Sequence, residues 1–207
     1  MAAGTKGGVK GGHEEWNQWR GQIKMSLLPE AKAVLDFWFM ESEAKQWFFK
    51  DAAFDQRIRE RFLEQLKQAA AAELYPWRTT AEGRLAEIIV LDQFSRNVYR
   101  DSPQAFSQDS IALVLAQEAV EANALAQLNA SQRSFLLMPY MHSESRAIHQ
   151  VAEALFKAHT PANNYDYELR HKEIIDRFGR YPHRNEVLGR TSSEEEIAFL
   201  KQPGSSF

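Results

Sequence analysis

Four arginines, one histidine and one acid fall within Arg177-Phe178-Gly179-Arg180-Tyr181-Pro182-His183-Arg184-Asn185-Glu186-Val187-Leu188-Gly189-Arg190. A guanidinium fork pairs with phosphate or carboxylate through two parallel N–H donors, and glycine and proline punctuation fixes where such forks point. The segment is therefore a candidate anion site, with Arg180, Arg184, Asn185 and Arg190 as candidate ligand-binding residues. A second arginine-bearing stretch, Asp92-Gln93-Phe94-Ser95-Arg96-Asn97-Val98-Tyr99-Arg100, adds Arg96 and Arg100 to that set. The third is His142-Ser143-Glu144, read as the start of a helix whose free N–H groups add positive potential. Histidine titrates near neutral pH without help, so His142 and His183 are the candidate proton carriers, with Glu144 orienting one of them.

Each cluster also has a plain structural explanation. Asp92 and Arg96 stand at i, i+4 and could form a local ion pair. The 177–190 loop could be an Arg and His network tying C-terminal helices to the core, and Glu144 could simply complement a helix dipole. His171 sits on an apolar stripe and reads as a core histidine; His149, four residues before Glu153, reads as half of a surface pair. Metal binding is not expected, because no His-Glu-x-x-His spacing occurs. No glycine-rich phosphate loop, Gly-x-Ser-x-Gly elbow or kinase motif set is present either, and no cofactor is implied.

The elements that must hold these residues are helical. Phe54, Ile58, Phe62 and Leu66 recur every four residues with Ala69 and Ala70 behind them, Asp51 is placed to cap the start, and Tyr75-Pro76 to end the helix. The stretch 82–94 is apolar on most sides, which predicts a central buried helix. Ser102-Pro103 reads as an N-cap with proline at the first helical position, ahead of the apolar stretch 106–122. Ser143 is the expected cap of a helix with Ile148, Val151, Ala152, Leu155 and Phe156 on one face. Tyr167, His171, Ile174, Ile175 and Phe178 form the next stripe, closed by Gly179, and a short turn over 182–188 stops at Gly189. Thr191 with Glu194, or Ser192 with Glu195, is the expected capping box of a last helix. No Asn-Gly or Asp-Gly hairpin signal and no alternating β-branched run occurs, so the chain is read as all-α.

Composition bounds what such a protein can be. With 207 residues, 44% hydrophobic, the chain can bury a core without staples, and having no cysteine it lacks disulfides, thiol nucleophiles and Cys-bound metals. A net charge of -3 argues against a nucleic-acid binder. That figure sums unlike parts: residues 101–168 hold three basic against eight acidic side chains, whereas 177–190 hold four against one. No apolar run approaches the roughly 18 residues of a membrane span. Residues 1–25 are read as a Gly-rich tail in which Trp16, Trp19 and Ile23 could mark a short docking helix, residues 26–202 as one helical domain and 203–207 as a tail. With neither a signal sequence nor a span, a cytoplasmic protein is expected.

Leu91 to Arg100, His142-Ser143-Glu144, the segment Arg177 to Asn185 and Leu188-Gly189-Arg190, in that order, resemble the bacterial domain-of-unknown-function family DUF924. Val34-Leu35-Asp36-Phe37-Trp38-Phe39 and Trp47-Phe48 resemble that family's aromatic opening, so the likeness spans residues 28–200. Family members usually carry proline where this chain has Ser95. The resemblance implies a tetratricopeptide-like fold of antiparallel helix pairs, a bundle or short solenoid, although no 34-residue period is visible in the sequence. It transfers no catalytic residue. Three functions follow as alternatives: a site for a small anionic molecule at the Arg and His cluster, enzymatic or not; a module binding a protein or peptide, with a homodimer as one form; or a network without a ligand. Arginines gathered in two loops favour the first, because a point-like anion needs gathered forks rather than scattered anchors.

Overall fold

A computed structural model describes residues 26–206. The docking helix expected around Trp16, Trp19 and Ile23 lies outside the described residues. Helix α1 (Pro29–Asp36) opens with proline at its first position, where the missing N–H leaves no carbonyl unserved, and runs on as a wide π turn over Phe37–Glu41. The short α2 (Ala44–Phe48) folds back, so that Trp47 Nε1 donates to Trp38 O at 3.0 Å. Trp38 is fully buried and packs edge-on against Phe94 and Phe135 with ring centroids 5.6 and 5.4 Å apart.

Helix α3 (Ala52–Ala70) is capped by the Asp51 carboxylate, which accepts the N–H groups of Ala53 and Phe54. Phe54, Ile58, Phe62, Leu66 and Ala69 are buried as their spacing predicts, while Ala70 is exposed. The helix stops before Tyr75-Pro76. Ala72 takes a left-handed φ of 59°, its N–H bonds to Ala69 O and that of Glu73 to Gln68 O, a Schellman closure made without glycine. A 3₁₀ turn over Tyr75–Thr79 leads into α4 (Ala81–Ile89), capped by the Thr80 hydroxyl. Gly83 is required there, since a Cβ would stand 1.9 Å from Trp77 O.

Helix α4 continues as a π turn over Val90–Phe94 and ends in α5 (Ser95–Val98); every residue from Leu85 to Ser95 is buried. This central rod packs on α1, α3, α6 (Asp109–Glu121) and α7 (Ala130–Met141). The π turn matters because one extra residue per turn rotates Asp92 and Gln93, both polar, into the interior; such turns recur at functional sites. Ser102-Pro103 begins a 3₁₀ turn, Pro103–Phe106, rather than the helix itself, and the Ser102 hydroxyl donates to Tyr99 O at 2.7 Å. Periodicity gives no warning of α7, because Ser134 through Met141 are buried on every side and Pro139 lies inside it.

Consecutive helices α6, α7, α8 (Arg146–His159) and α9 (Ala162–Phe178) pack against one another, the last two pairs through connections short enough to make antiparallel neighbours. Three local expectations shift. Helix α8 begins after Ser145, not Ser143, and neither serine caps it by side chain. Val151 is 49% exposed whereas His149 is fully buried, so the helix is turned from the face its apolar pattern suggests. The capping box of α10 (Glu194–Leu200) is Ser193 with Glu196, because Glu196 turns inward to meet Arg180. Gly179 and Gly189 adopt φ of 71° and 65°, as helix and turn stops require. Residues 203–206 do not all trail away, since Ser205 is buried and donates to Leu200 O. Among the described residues the fold is all-α, without a strand, and holds no helix long and apolar enough to cross a membrane.

Candidate functional site

Where the 3₁₀ turn Pro103–Phe106, the start of α6, the end of α7 and the 3₁₀ turn Pro182–Arg184 meet, an open cleft of about 310 Å³ is lined by Phe106, Asp109, Ser110, His142, Glu144 and Arg184 among others. An imidazole lines it, backed by a buried carboxylate. Asp92 is buried, and its Oδ1 lies 2.8 Å from His142 Nδ1. The same carboxylate accepts from the Gln93 side chain and stands 3.2 Å from Arg96 Nη1. Burial opposes its ionisation, but Arg96 and His142 outweigh that and hold Asp92 well below the usual carboxylate range. His142 is pushed the other way: burial, then the Arg96 charge, lowers it despite Asp92. The imidazole is therefore neutral at pH 7. With an ionised acceptor at Nδ1, its proton sits on Nδ1 and its lone pair on Nε2.

Two arginines share one acid beside it. Arg96 Nη2 donates to Asp109 Oδ2 at 3.0 Å and Nη1 donates to Asp92 O at 2.6 Å; Arg184 Nη1 reaches the same Asp109 oxygen at 3.3 Å. The Arg184 guanidinium lies over the rings of Phe106 and Tyr181, 4.7 and 4.6 Å from their centroids, and its Nε–H is buried without an acceptor. Burial and the neighbouring Arg96 charge lower its proton affinity. His183, lowered to about 4 by burial and by Arg184, likewise has a buried Nδ1 without a partner, but it does not line the cleft.

The remaining loop residues are saturated. Arg190 grips Glu144 in bidentate fashion at 2.6 and 2.9 Å, and also donates to Asn185 Oδ1 and Tyr181 O. Glu144 accepts the Tyr181 N–H at 2.7 Å as well, and Asn185 donates to Ser192. Burial raises the Glu144 pKa, yet the Arg190 fork, the Tyr181 N–H and the Arg184 charge together outweigh it and the net shift is downward. Behind this layer, His149 Nδ1 and Glu168 Oε1 lie 2.7 Å apart with both side chains fully buried, His149 Nε2 is 2.9 Å from Ser143 O, and the Tyr181 hydroxyl donates to Met141 O. The surface pair expected of His149 with Glu153 is thus replaced by a buried one with Glu168, nineteen residues on.

The structure brings together His142, Glu144 and Arg184 at the cleft, sets Arg96 beside it on the Asp109 carboxylate that Arg184 shares, and holds Asn185 and Arg190 just behind Glu144. It leaves three candidates elsewhere, His183 being the first. Arg100 forks onto Asp55 at 2.5 and 2.7 Å, with Asn97 on the same carboxylate, so its reach is spent on α3. Arg180 forks onto Glu196 at 2.6 and 2.7 Å and donates to Thr191 O, tying α10 to the loop. The His142 segment closes α7 and precedes Ser145, the N-cap of α8, rather than opening the helix itself. Sequence reasoning missed Asp109, which looks like an ordinary first-turn acid, and Phe106 and Tyr181, whose stacking under a guanidinium has no signature. Among the described residues no three His, Asp or Glu side chains gather as a metal-holding group.

A family model described as a bacterial protein of unknown function, DUF924, matches residues 34–204. A solved structure of a protein of unknown function from Agrobacterium tumefaciens is similar at 34% identity and a TM-score of 0.79, covering 83% of this chain and 96% of that one. No curated protein matches the chain. The match over nearly all of the helical body, together with the likeness in fold, places this chain in the DUF924 family of bacterial proteins of unknown function.

Proposed function

We propose that the cleft between α6, the end of α7 and the 182–184 turn binds a small anionic molecule through a carboxylate or phosphate group, with Arg184 as its main donor and Arg96 beside it. One observation carries this. Arg184 is buried, has a single 3.3 Å bond to an acid that Arg96 already holds more closely, and keeps an Nε–H with no acceptor. A buried donor without an acceptor costs about 1–3 kcal/mol, more when charged, and a ligand oxygen bonded to the same guanidinium would offset that cost. Stacking on Phe106 and Tyr181 holds the fork ready, so little side-chain entropy is lost on binding. Should the bound molecule react, His142 is the group placed to accept a proton.

A protein-interaction role has a different observation behind it, the exposure of Met40, Phe48 and Phe49 at 81%, 64% and 70% on the opening elements. The two are separated by thermal unfolding of the protein with inorganic phosphate, nucleotides and small carboxylic acids. An anion at about 100 times its dissociation constant should stabilise by roughly 2.7 kcal/mol, and Arg184→Ala should abolish the shift. An unchanged melting temperature with every anion would leave only the interaction role.

A further inference from the structure

The polar atoms that the cleft leaves without partners are not all donors. Arg184 offers N–H groups, whereas the acceptors without a hydrogen bond are Asp109 Oδ1 and His142 Nε2, the latter because the other ring nitrogen donates to Asp92 at 2.8 Å. The tautomer follows from the packing around Asp92. Its carboxylate faces the Gln93 amide N–H and Arg96, both donors, so it carries no proton of its own to give to His142. An anion made only of acceptors would satisfy Arg184 and set its lone pairs against that of Nε2. An anion that also carries an O–H satisfies both.

We infer that the cleft selects oxyanions bearing their own hydroxyl, a hydroxycarboxylate or a monohydrogen phosphate, with the charged oxygens on Arg184 and the hydroxyl donating to His142 Nε2. Asp92 acts as a positioning residue that fixes the acceptor. This inference rests on the anion-binding reading of the same cleft, and it narrows the ligand to one chemical class by hydrogen-bond polarity. Size agrees: a cleft of about 310 Å³ lies at the small end of ligand sites, suiting a few heavy atoms rather than a nucleotide.

The test is titration calorimetry on the full chain at pH 7 with two matched pairs. Phosphate keeps an O–H at this pH and sulfate does not; malate has a hydroxyl that succinate lacks. The hydroxyl-bearing member of a pair should bind about tenfold more tightly, the worth of one neutral hydrogen bond that its counterpart cannot make. Which pair shows the preference identifies the source of the oxyanion. In Asp92→Asn, the new amide carbonyl keeps the Gln93 N–H, its NH₂ faces His142 Nδ1, and the imidazole proton moves to Nε2. The preference should then vanish while anion binding itself remains. Equal binding within both pairs in the unaltered protein overturns the inference and leaves the anion reading intact; no binding by any of the four removes both. A preference that survives in Asp92→Asn, shown to be folded by its near-ultraviolet circular dichroism, overturns the role given to His142. If that variant does not fold, the two matched pairs decide alone.

Discussion

Arg184 and Arg190 lie six residues apart on one loop and have opposite fates. Arg190 meets Glu144, Asn185 and the Tyr181 carbonyl with all three of its nitrogens engaged, whereas Arg184 shares Asp109 with Arg96 and leaves Nε idle. The first is a rivet joining the 177–190 loop to the end of α7. The second is a donor held open over two aromatic rings. A guanidinium does structural work when the fold supplies it with acceptors, and is available to a ligand when it does not.

That contrast can be broken or sharpened by measurement. The deepest part of the saturated region is the His149–Glu168 pair, and His149→Ala should cost about 3–5 kcal/mol in denaturant unfolding, because it strands a buried carboxyl group. A loss under about 1 kcal/mol would mean that water replaces the imidazole. Next comes acid sensitivity. His171 and His183 are held at about 3 and about 4 by burial, against 6.5 in the unfolded chain, so below pH 6.5 the unfolded state takes up protons that the native state refuses. Stability is complete above pH 6.5 and should fall by roughly 1.4 kcal/mol per pH unit for each histidine toward pH 4. His171→Gln with His183→Gln should flatten that slope in unfolding curves taken between pH 7 and 5, and an unchanged slope would assign the acid loss to other groups.

Smaller effects separate the two arginines directly. Arg190→Leu leaves Glu144 without its fork and should destabilise by about 2 kcal/mol, whereas Arg184→Leu, which keeps an apolar contact with Phe106 and Tyr181, should cost less than about 1 kcal/mol. Equal losses would show that Arg184 is as structural as its neighbour. At the bottom of the scale, Lys50→Ala removes only the exposed pair with Asp101 and should change stability by less than about 0.5 kcal/mol.

Much of this molecule can be read without coordinates, for reasons that differ by element. The face of α3, the Asp51 cap and the stops at Gly179 and Gly189 follow from neighbours within four residues, where periodicity and backbone sterics act. The failures share one cause. Helix α7 has no polar face to set a period, α8 turns His149 inward because Glu168 waits on α9, and the last capping box moves to Ser193 because Arg180 draws Glu196 in. In each case a partner distant in sequence overrode a local rule.

The sequence by itself determined an all-helical chain without cysteine chemistry, and the gathering of arginine and histidine in three segments. Its spacing could not say which arginines would be left with donors to spare. Arg100 and Arg180 look no different from Arg96 and Arg184 along the chain; Asp55 and Glu196 claim the first two, and Asp109 is left to serve the other pair. Only the tertiary structure allots these acids to these arginines, because guanidinium and carboxylate meet across 13 to 75 residues of chain, distances over which local rules carry no information.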